Sequence, residues 1–156
     1  MSFQIHALDP KPFSHLFGLG EVALAAMAIT RVKVTETPGV PCRVTLSDLA
    51  IGDTALLVNH QHMAGHSPYR AQGPIFIREG QDQAVALEPD TIPEVLRRRL
   101  LSLRAYDTHG MMVDADVVDG QQADELLNRL LAIPEVTNVD IHFARRGCFA
   151  ARALPR

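Results

Sequence analysis

The feature that most constrains this fold is an alternating segment in the last third of the chain, residues 101–117. Apolar and polar residues alternate on both sides of a Thr-His-Gly turn at 108–110, which is typical of two antiparallel strands joined by a three-residue loop. We expect this hairpin to place Arg104 opposite Asp114, with the apolar residues of both strands on the other face. Turn residues, apolar pattern and charge pairing all agree with that register.

An amphipathic helix is predicted directly after this hairpin, over about residues 120–132. Asp119 stands at the N-cap position with Gln122 three residues later, and Pro134 ends the pattern. A single apolar stripe consists of Ala123, Leu126, Leu127, Leu130 and Leu131. Such a stripe must be covered, so we expect the helix to pack on one face of a sheet.

Two short strands around an Arg-Arg-Gly loop predict a second hairpin over residues 139–153. Its register places Asp140 opposite Arg152 and His142 opposite Ala150. The resulting order of strand, strand, helix, strand, strand resembles part of a ferredoxin-like sheet. This likeness concerns architecture alone and implies no activity.

The rest of the chain predicts shorter elements. Strands are expected near residues 3–8, 29–34, 54–60 and 75–77, and helical turns near 10–18, 19–27, 48–52 and 92–97. The turn near 48–52 would be capped by Ser47-Asp48, and the one near 92–97 by a capping box at Thr91–Glu94. Arg97–Arg99 are interpreted as the solvated end of that helix, where positive charge is favourable. The fold class is therefore α+β, with a mainly antiparallel sheet in a single domain of residues 1–156.

Composition excludes several classes of protein. The formal net charge is −3 without a dominant basic face, which argues against nucleic acid as a partner. No apolar run approaches the roughly 20 residues of a membrane helix, and the N-terminus lacks the pattern of a signal peptide. We therefore expect a cytoplasmic protein in which Cys42 and Cys148 are thiols. No residue pattern indicates a cofactor.

Three histidines in a short polar connection suggest a metal site. His60 and His62 share one face of a continuing strand, and His66 follows at a distance that lets it fold back. Three imidazoles are a ligand set for an open zinc or iron site. The alternative is that these are solvated loop histidines or groups that cap the loop backbone.

A second candidate site combines Cys148 with His142 and Asp140, which the second hairpin would place on one face. An imidazole beside a thiol favours the nucleophilic thiolate, and a carboxylate would orient the ring. These residues predict a Cys/His enzyme acting on an acyl or thiol-containing substrate. The alternative is a small packing cysteine, with Asp140 paired to Arg152.

A third candidate site consists of His62, Tyr69, Arg70 and Arg146. If the loop between residues 59 and 73 and the Arg-Arg-Gly turn meet, these side chains would form a cleft for an anionic small molecule. That cleft requires the strands at 54–60, 74–78 and 139–143 to share one sheet. The alternative is that Arg70 ties its loop to a nearby carboxylate.

Several segments resemble a known bacterial family: PGVPCRVTLSD, SPYRAQGPIFIRE, RLLSLRAYDTHGMMVDADVV and ARRGCFAAR. The family is catalogued as a domain of unknown function, number twelve-oh-three. The resemblance spans nearly the whole chain and implies a small stand-alone bacterial protein, without a reaction, cofactor or assigned residue. We therefore expect a domain that binds a small anionic ligand or a protein partner, with the Cys/His enzyme and the histidine metal site as alternatives.

Overall fold

The structure is a computed structural model that describes residues 2–156, and within them it is α+β as predicted. The strands are β1 Phe3–His6, β2 Thr30–Lys33, β3 Pro41–Cys42, β4 Ser47–Asp48, β5 Thr54–Met63, β6 Ala71–Arg78, β7 Leu100–Tyr106, β8 Met112–Asp119, β9 Asn138–Phe143 and β10 Phe149–Pro155. The α-helices are α1 Glu21–Ala26, α2 Glu94–Arg97 and α3 Ala123–Leu131. Short 3-10 turns cover Lys11–Leu16 and Gly120–Gln122.

The strands form two five-stranded sheets. Sheet A has the order β1-β10-β9-β7-β8 and is antiparallel throughout. Sheet B has the order β2-β5-β6-β3-β4, in which the β3–β6 pairing is parallel and the other pairings are antiparallel. The mainly antiparallel architecture is therefore confirmed, and the likeness to a ferredoxin-like sheet stays a prediction.

Helix α3 forms where the sequence predicts it. The Asp119 carboxylate accepts a hydrogen bond from the Gln121 backbone N–H at 2.9 Å and so caps the 3-10 turn Gly120–Gln122 that leads into α3. Every residue of the predicted stripe is buried: Ala123, Leu126, Leu127, Leu130 and Leu131. They pack against one face of sheet A, including Leu101 and Leu103. A helix this short is stable because that face is covered, since each buried leucine contributes roughly 1.5–3 kcal/mol.

The first hairpin forms, but its predicted register is wrong. A β-bulge next to the turn shifts the pairing by one residue, so Arg104 lies opposite Ala115 instead of Asp114. A shift of one residue moves a side chain to the other face of the sheet. Asp114 and Asp116 therefore lie on the helix side, where Arg129 binds them at 3.2 and 3.3 Å. Arg104 is left on the face that is turned away from α3.

The second hairpin is partly as predicted. Asp140 lies opposite Arg152, and the Arg152 Nε and Nη2 donate to its carboxylate at 2.6 and 2.9 Å. Nearer the turn another bulge changes the pairing, so His142 lies opposite Phe149 and not Ala150. The rings of His142 and Phe149 consequently contact each other, with their centroids 5.8 Å apart.

Two elements near residue 48 and residue 94 differ from prediction. Ser47 and Asp48 pair with β3 as a short strand instead of capping a helical turn. Helix α2 begins after Pro93 without a side-chain cap, because the Thr91 hydroxyl donates to the Pro89 carbonyl. The Asp48 carboxylate is thereby free to bind side chains that follow α2.

The strands at 54–60 and 139–143 lie in different sheets. β5 pairs with β6 in sheet B, whereas β9 lies in the middle of sheet A. The prediction that these strands share one sheet, which the cleft requires, is therefore wrong. The two sheets meet instead through side chains: Arg43 donates to the Phe149 carbonyl at 2.8 Å, and Arg152 donates to the His62 carbonyl at 3.1 Å.

Candidate functional site

A cavity of about 600 Å³ lies where sheets A and B meet, which is the size of an ordinary small-molecule site. Five of its lining residues are arginines: Arg43, Arg98, Arg99, Arg145 and Arg146. Apolar side chains supply much of the remaining wall, among them Leu57, Pro74, Phe76 and Phe143. Among the described residues no aspartate or glutamate lines this space, which we call the arginine cavity.

Arg43 is the most deeply buried charge of the arginine cavity, with 2% of its surface exposed. Its Nε donates to the Phe149 carbonyl at 2.8 Å and its Nη1 to the Pro41 carbonyl at 2.6 Å. The guanidinium carbon also lies 4.8 Å from the centroid of the Phe143 ring, within cation–π range. These contacts fix the group at the junction of the two sheets.

The charge of Arg43 is not neutralised by the protein. Within residues 2–156 its guanidinium forms no ion pair, its Nη2 makes no hydrogen bond, and the side chain lines the cavity. Burial lowers the pKa of Arg43 to about 10. The side chain is nevertheless protonated at neutral pH, so the cavity contains an uncompensated positive charge.

The segment that joins α2 to β7 contributes Arg98 and Arg99 to the wall of the cavity. Arg99 binds the Asp48 carboxylate at 2.6 and 2.9 Å, and Arg98 approaches the same carboxylate at 3.4 Å. The guanidinium carbon of Arg99 lies 5.2 Å from the centroid of the Phe143 ring. Arg98 also pairs with the Glu94 carboxylate at 3.3 Å, so the carboxylates of Asp48 and Glu94 together offset the charges of both arginines.

The turn between β9 and β10 contributes the last two arginines and a thiol. Arg145 and Arg146 are exposed, and Cys148 is half-buried at the cavity wall. Gly147 has a φ of 80°, a conformation that glycine adopts without strain. His142 Nδ1 donates to the Gly147 carbonyl at 3.0 Å and so holds the turn against the sheet.

A layer of rings separates the two sheets beside the arginine cavity. His62 of sheet B stacks on Phe149 of sheet A, with 5.1 Å between centroids, and meets His142 edge-on at 5.0 Å. His60 meets Phe149 at 6.2 Å. Burial lowers the pKa of both His60 and His62. The histidines of the polar connection therefore act partly as packing groups between the sheets.

His142 is almost fully buried, with 1% of its surface exposed. Because a carbonyl can only accept, the bond to Gly147 places the proton on Nδ1 and leaves Nε2 as a buried lone pair without a partner. Burial lowers the pKa of His142 to about 4, and the positive charge of Arg104 acts in the same direction. His142 is thus a neutral structural imidazole at neutral pH.

Stability is expected to fall as the pH is lowered from 6.5 to 4, because His142 titrates normally only after unfolding. The unfolded chain takes up the proton first, so the stability that neutral His142 contributes is complete above 6.5 and is lost toward 4. The shift corresponds to roughly 3 kcal/mol. Urea unfolding of the wild type and of His142→Gln at several pH values measures it, since the carboxylates affect both proteins alike. Equal pH dependence in the two proteins would contradict this assignment.

In the described residues, no hydrogen bond joins Cys148, His142 and Asp140 into the predicted catalytic group. His142 binds the Gly147 carbonyl, and Asp140 is fully buried in its pairing with Arg152. The Cys148 thiol lies 3.8 Å from the Arg146 carbonyl, and the described residues include no hydrogen bond between it and His142.

The predicted ligand-binding group is also divided. Arg146 lines the arginine cavity, whereas His62 lines a second, more polar cavity of about 450 Å³ together with Arg152. Tyr69 packs against Tyr106, with ring centroids 6.0 Å apart. Arg70 is exposed and lines neither cavity.

The three histidines of the metal hypothesis do not come together. In the described part of the chain, no three or more histidine, cysteine, aspartate or glutamate side chains are grouped so that they could hold a metal ion. His60 and His62 contact Phe149, and His66 is exposed in the loop. This arrangement gives the metal hypothesis no support.

Sequence reasoning missed three arginines of the cavity. Arg98 and Arg99 belong to the run that was interpreted as a solvated helix end, and Arg43 was not singled out. A signal for Arg43 exists, because it is a lone charge inside the apolar run at 40–46. Charged residues in such runs are almost never buried without a partner, so that position merits attention.

The comparisons with known proteins give one match. The family model described as Protein of unknown function (DUF1203) matches residues 39–154, a range that includes every residue lining the arginine cavity. No curated protein and no solved structure matches significantly. Among the described residues, no helix has both the length and the apolar character needed to cross a membrane. The family match covers well over half of the chain, which therefore belongs to the DUF1203 family.

Proposed function

We propose that the protein binds a small anionic molecule in the arginine cavity, and that it does so in the cytoplasm of a bacterium. The observation that carries the proposal is Arg43, whose guanidinium is buried and charged without a carboxylate partner. Leaving such a charge uncompensated costs free energy, which an anion at Nη2 would recover. Two free cysteines, Cys42 and Cys148, are typical of a reducing compartment.

The walls of the cavity favour a ligand that is anionic at one end and apolar at the other. Guanidinium groups form paired hydrogen bonds with carboxylate or phosphate oxygens. The ring of Phe143 is already flanked by Arg43 and Arg99, and Phe76 and Leu57 supply further apolar surface. A small aromatic or aliphatic carboxylate or phosphate matches this combination better than a bare inorganic ion does.

Isothermal titration calorimetry with three probes tests the proposal. Phenyl phosphate is expected to bind more tightly than inorganic phosphate, because its ring contacts the apolar wall. Benzylamine, which is cationic at neutral pH, is expected not to bind. Equal binding of phenyl phosphate and benzylamine would contradict the proposal.

A matched pair of loop variants locates the binding. The double variant Arg145→Gln/Arg146→Gln is expected to lower the affinity for phenyl phosphate about fivefold, because exposed charges contribute roughly 1 kcal/mol of binding free energy. Arg70→Gln removes an equally exposed arginine that lines neither cavity and should leave the affinity unchanged. A loss of the same size in Arg70→Gln would place the site elsewhere.

A further inference from the structure

Cys148 lies at the wall of the arginine cavity and has no role in the proposed binding of an anion. Its thiol is half-buried and lies 3.8 Å from the Arg146 carbonyl. The other cysteine, Cys42, is fully buried, and its sulfur accepts hydrogen bonds from the backbone N–H groups of Thr45 and Arg78 at 3.5 and 3.3 Å. The protein therefore has one thiol that faces a cavity and one that does not.

We propose that Cys148 is a modification site that undergoes thiol–disulfide exchange with small anionic disulfides, which the arginine cavity selects. The proposal rests on the proposed function, because the same arginines would hold the anionic group. Its second support is Arg43, whose side chain is buried, has no carboxylate partner and lines the same cavity. Arg43 and Cys148 line the same space of about 600 Å³.

The chemistry requires no group beyond the two reactants. The Cys148 thiol loses its proton to solvent, and the thiolate attacks one sulfur of the disulfide. A new S–S bond forms between Cys148 and that sulfur as the original S–S bond breaks. The second sulfur leaves as a thiolate with the bonding electron pair. Cys148 is oxidised to a mixed disulfide, and one half of the small disulfide is reduced to a thiol.

The arginines act by placing the disulfide, not by entering the reaction. A carboxylate held by Arg43 or Arg146 would keep the disulfide inside a cavity that Cys148 also lines, which raises the frequency of productive encounters. His142 is not required, because its Nδ1 proton is donated to the Gly147 carbonyl. Selectivity for charge is therefore the property that distinguishes this site from an ordinary exposed cysteine.

Three disulfides of nearly equal size and different charge test the proposal. They are 3,3′-dithiodipropionate with two carboxylates, bis(2-hydroxyethyl) disulfide with two hydroxyls, and cystamine with two ammonium groups. Each rate with the native protein is divided by the rate of the same disulfide with 2-mercaptoethanol, so that intrinsic reactivity cancels. Mass spectrometry of peptides identifies the modified cysteine.

The normalised rate is expected to be about tenfold higher for the dicarboxylate than for the dihydroxyl compound, and lowest for cystamine. Modification should occur at Cys148 and not at Cys42. Salt at about 0.5 M should reduce the charge preference by screening. Arg145→Gln/Arg146→Gln should reduce it as well, while Arg70→Gln should not. Circular dichroism confirms that each variant is folded.

The outcomes separate this proposal from the one on which it rests. Equal normalised rates for the three disulfides, or an unreactive Cys148 in a protein that binds phenyl phosphate, would overturn the exchange proposal alone. A charge preference at Cys148 without any binding of phenyl phosphate would support exchange and overturn the broader binding function. Preferential modification of Cys42 would contradict the placement of both thiols.

Discussion

Gly120→Ala is expected to destabilise the native state severely. A β-carbon at residue 120 would lie 2.0 Å from the Leu96 carbonyl oxygen and 2.7 Å from those of Arg97 and Arg99. All three are backbone atoms in the segment around α2, so the overlap cannot be relieved by turning a side chain. Overpacking in a core typically costs about 1–3 kcal/mol, and we expect at least 4 kcal/mol here.

Urea denaturation followed by circular dichroism measures this effect, with Gly73→Ala as the matched control. Gly73 lies in β6, and a β-carbon there would meet nothing within 4 Å. The control should therefore change the free energy of unfolding by less than about 1 kcal/mol. If Gly120→Ala unfolds at the same urea concentration as wild type, the close packing of the α2 segment against the start of α3 is wrong.

Arg43→Met is expected to reduce the affinity for phenyl phosphate at least thirtyfold. Methionine keeps much of the apolar stem while removing the buried charge, and losing one partner of a buried charged pair typically costs about 2–5 kcal/mol of binding. Calorimetry at constant salt measures the change. Arg70→Met, which removes an exposed arginine outside the cavity, should bind as wild type does.

The same substitution has a predictable effect on stability. Arg43→Met leaves the carbonyls of Phe149 and Pro41 without their donor, at a cost of about 1–3 kcal/mol. Removing an unpaired buried charge offsets part of that cost. We therefore expect a folded but modestly destabilised protein, and wild-type affinity in this variant would contradict the role given to Arg43.

Local pattern was sufficient to predict helix α3 and the existence of both hairpins. The apolar stripe that includes Leu126 and Leu130 repeats with the helical period, and Asp119 stands before it at the position expected of an N-cap residue. The hairpin registers were less predictable, because each contains a β-bulge that alternation does not reveal. One extra residue was enough to move Asp114 to the helix face of sheet A, so that Arg104 and Asp114 lie on opposite faces.

The candidate site depends on which sheet each strand joins, and this cannot be read from periodicity. β5 and β9 belong to different sheets, so the residues near them line two cavities instead of the one predicted cleft. Arg146 and Cys148 both line the arginine cavity, and the sequence singles out the turn that carries them. Arg43 directly follows β3, far away in sequence, and reaches the same cavity through contacts that only the tertiary structure creates.

The most direct test of anion binding in the arginine cavity is anomalous diffraction from crystals grown with 4-iodophenyl phosphate. The account predicts an iodine peak inside the cavity, near Phe76 and Phe143, with phosphate oxygens about 2.7–2.9 Å from the Arg43 guanidinium. An iodine peak in the second cavity beside His62 and Arg152, with the arginine cavity empty in the same crystal, would contradict it.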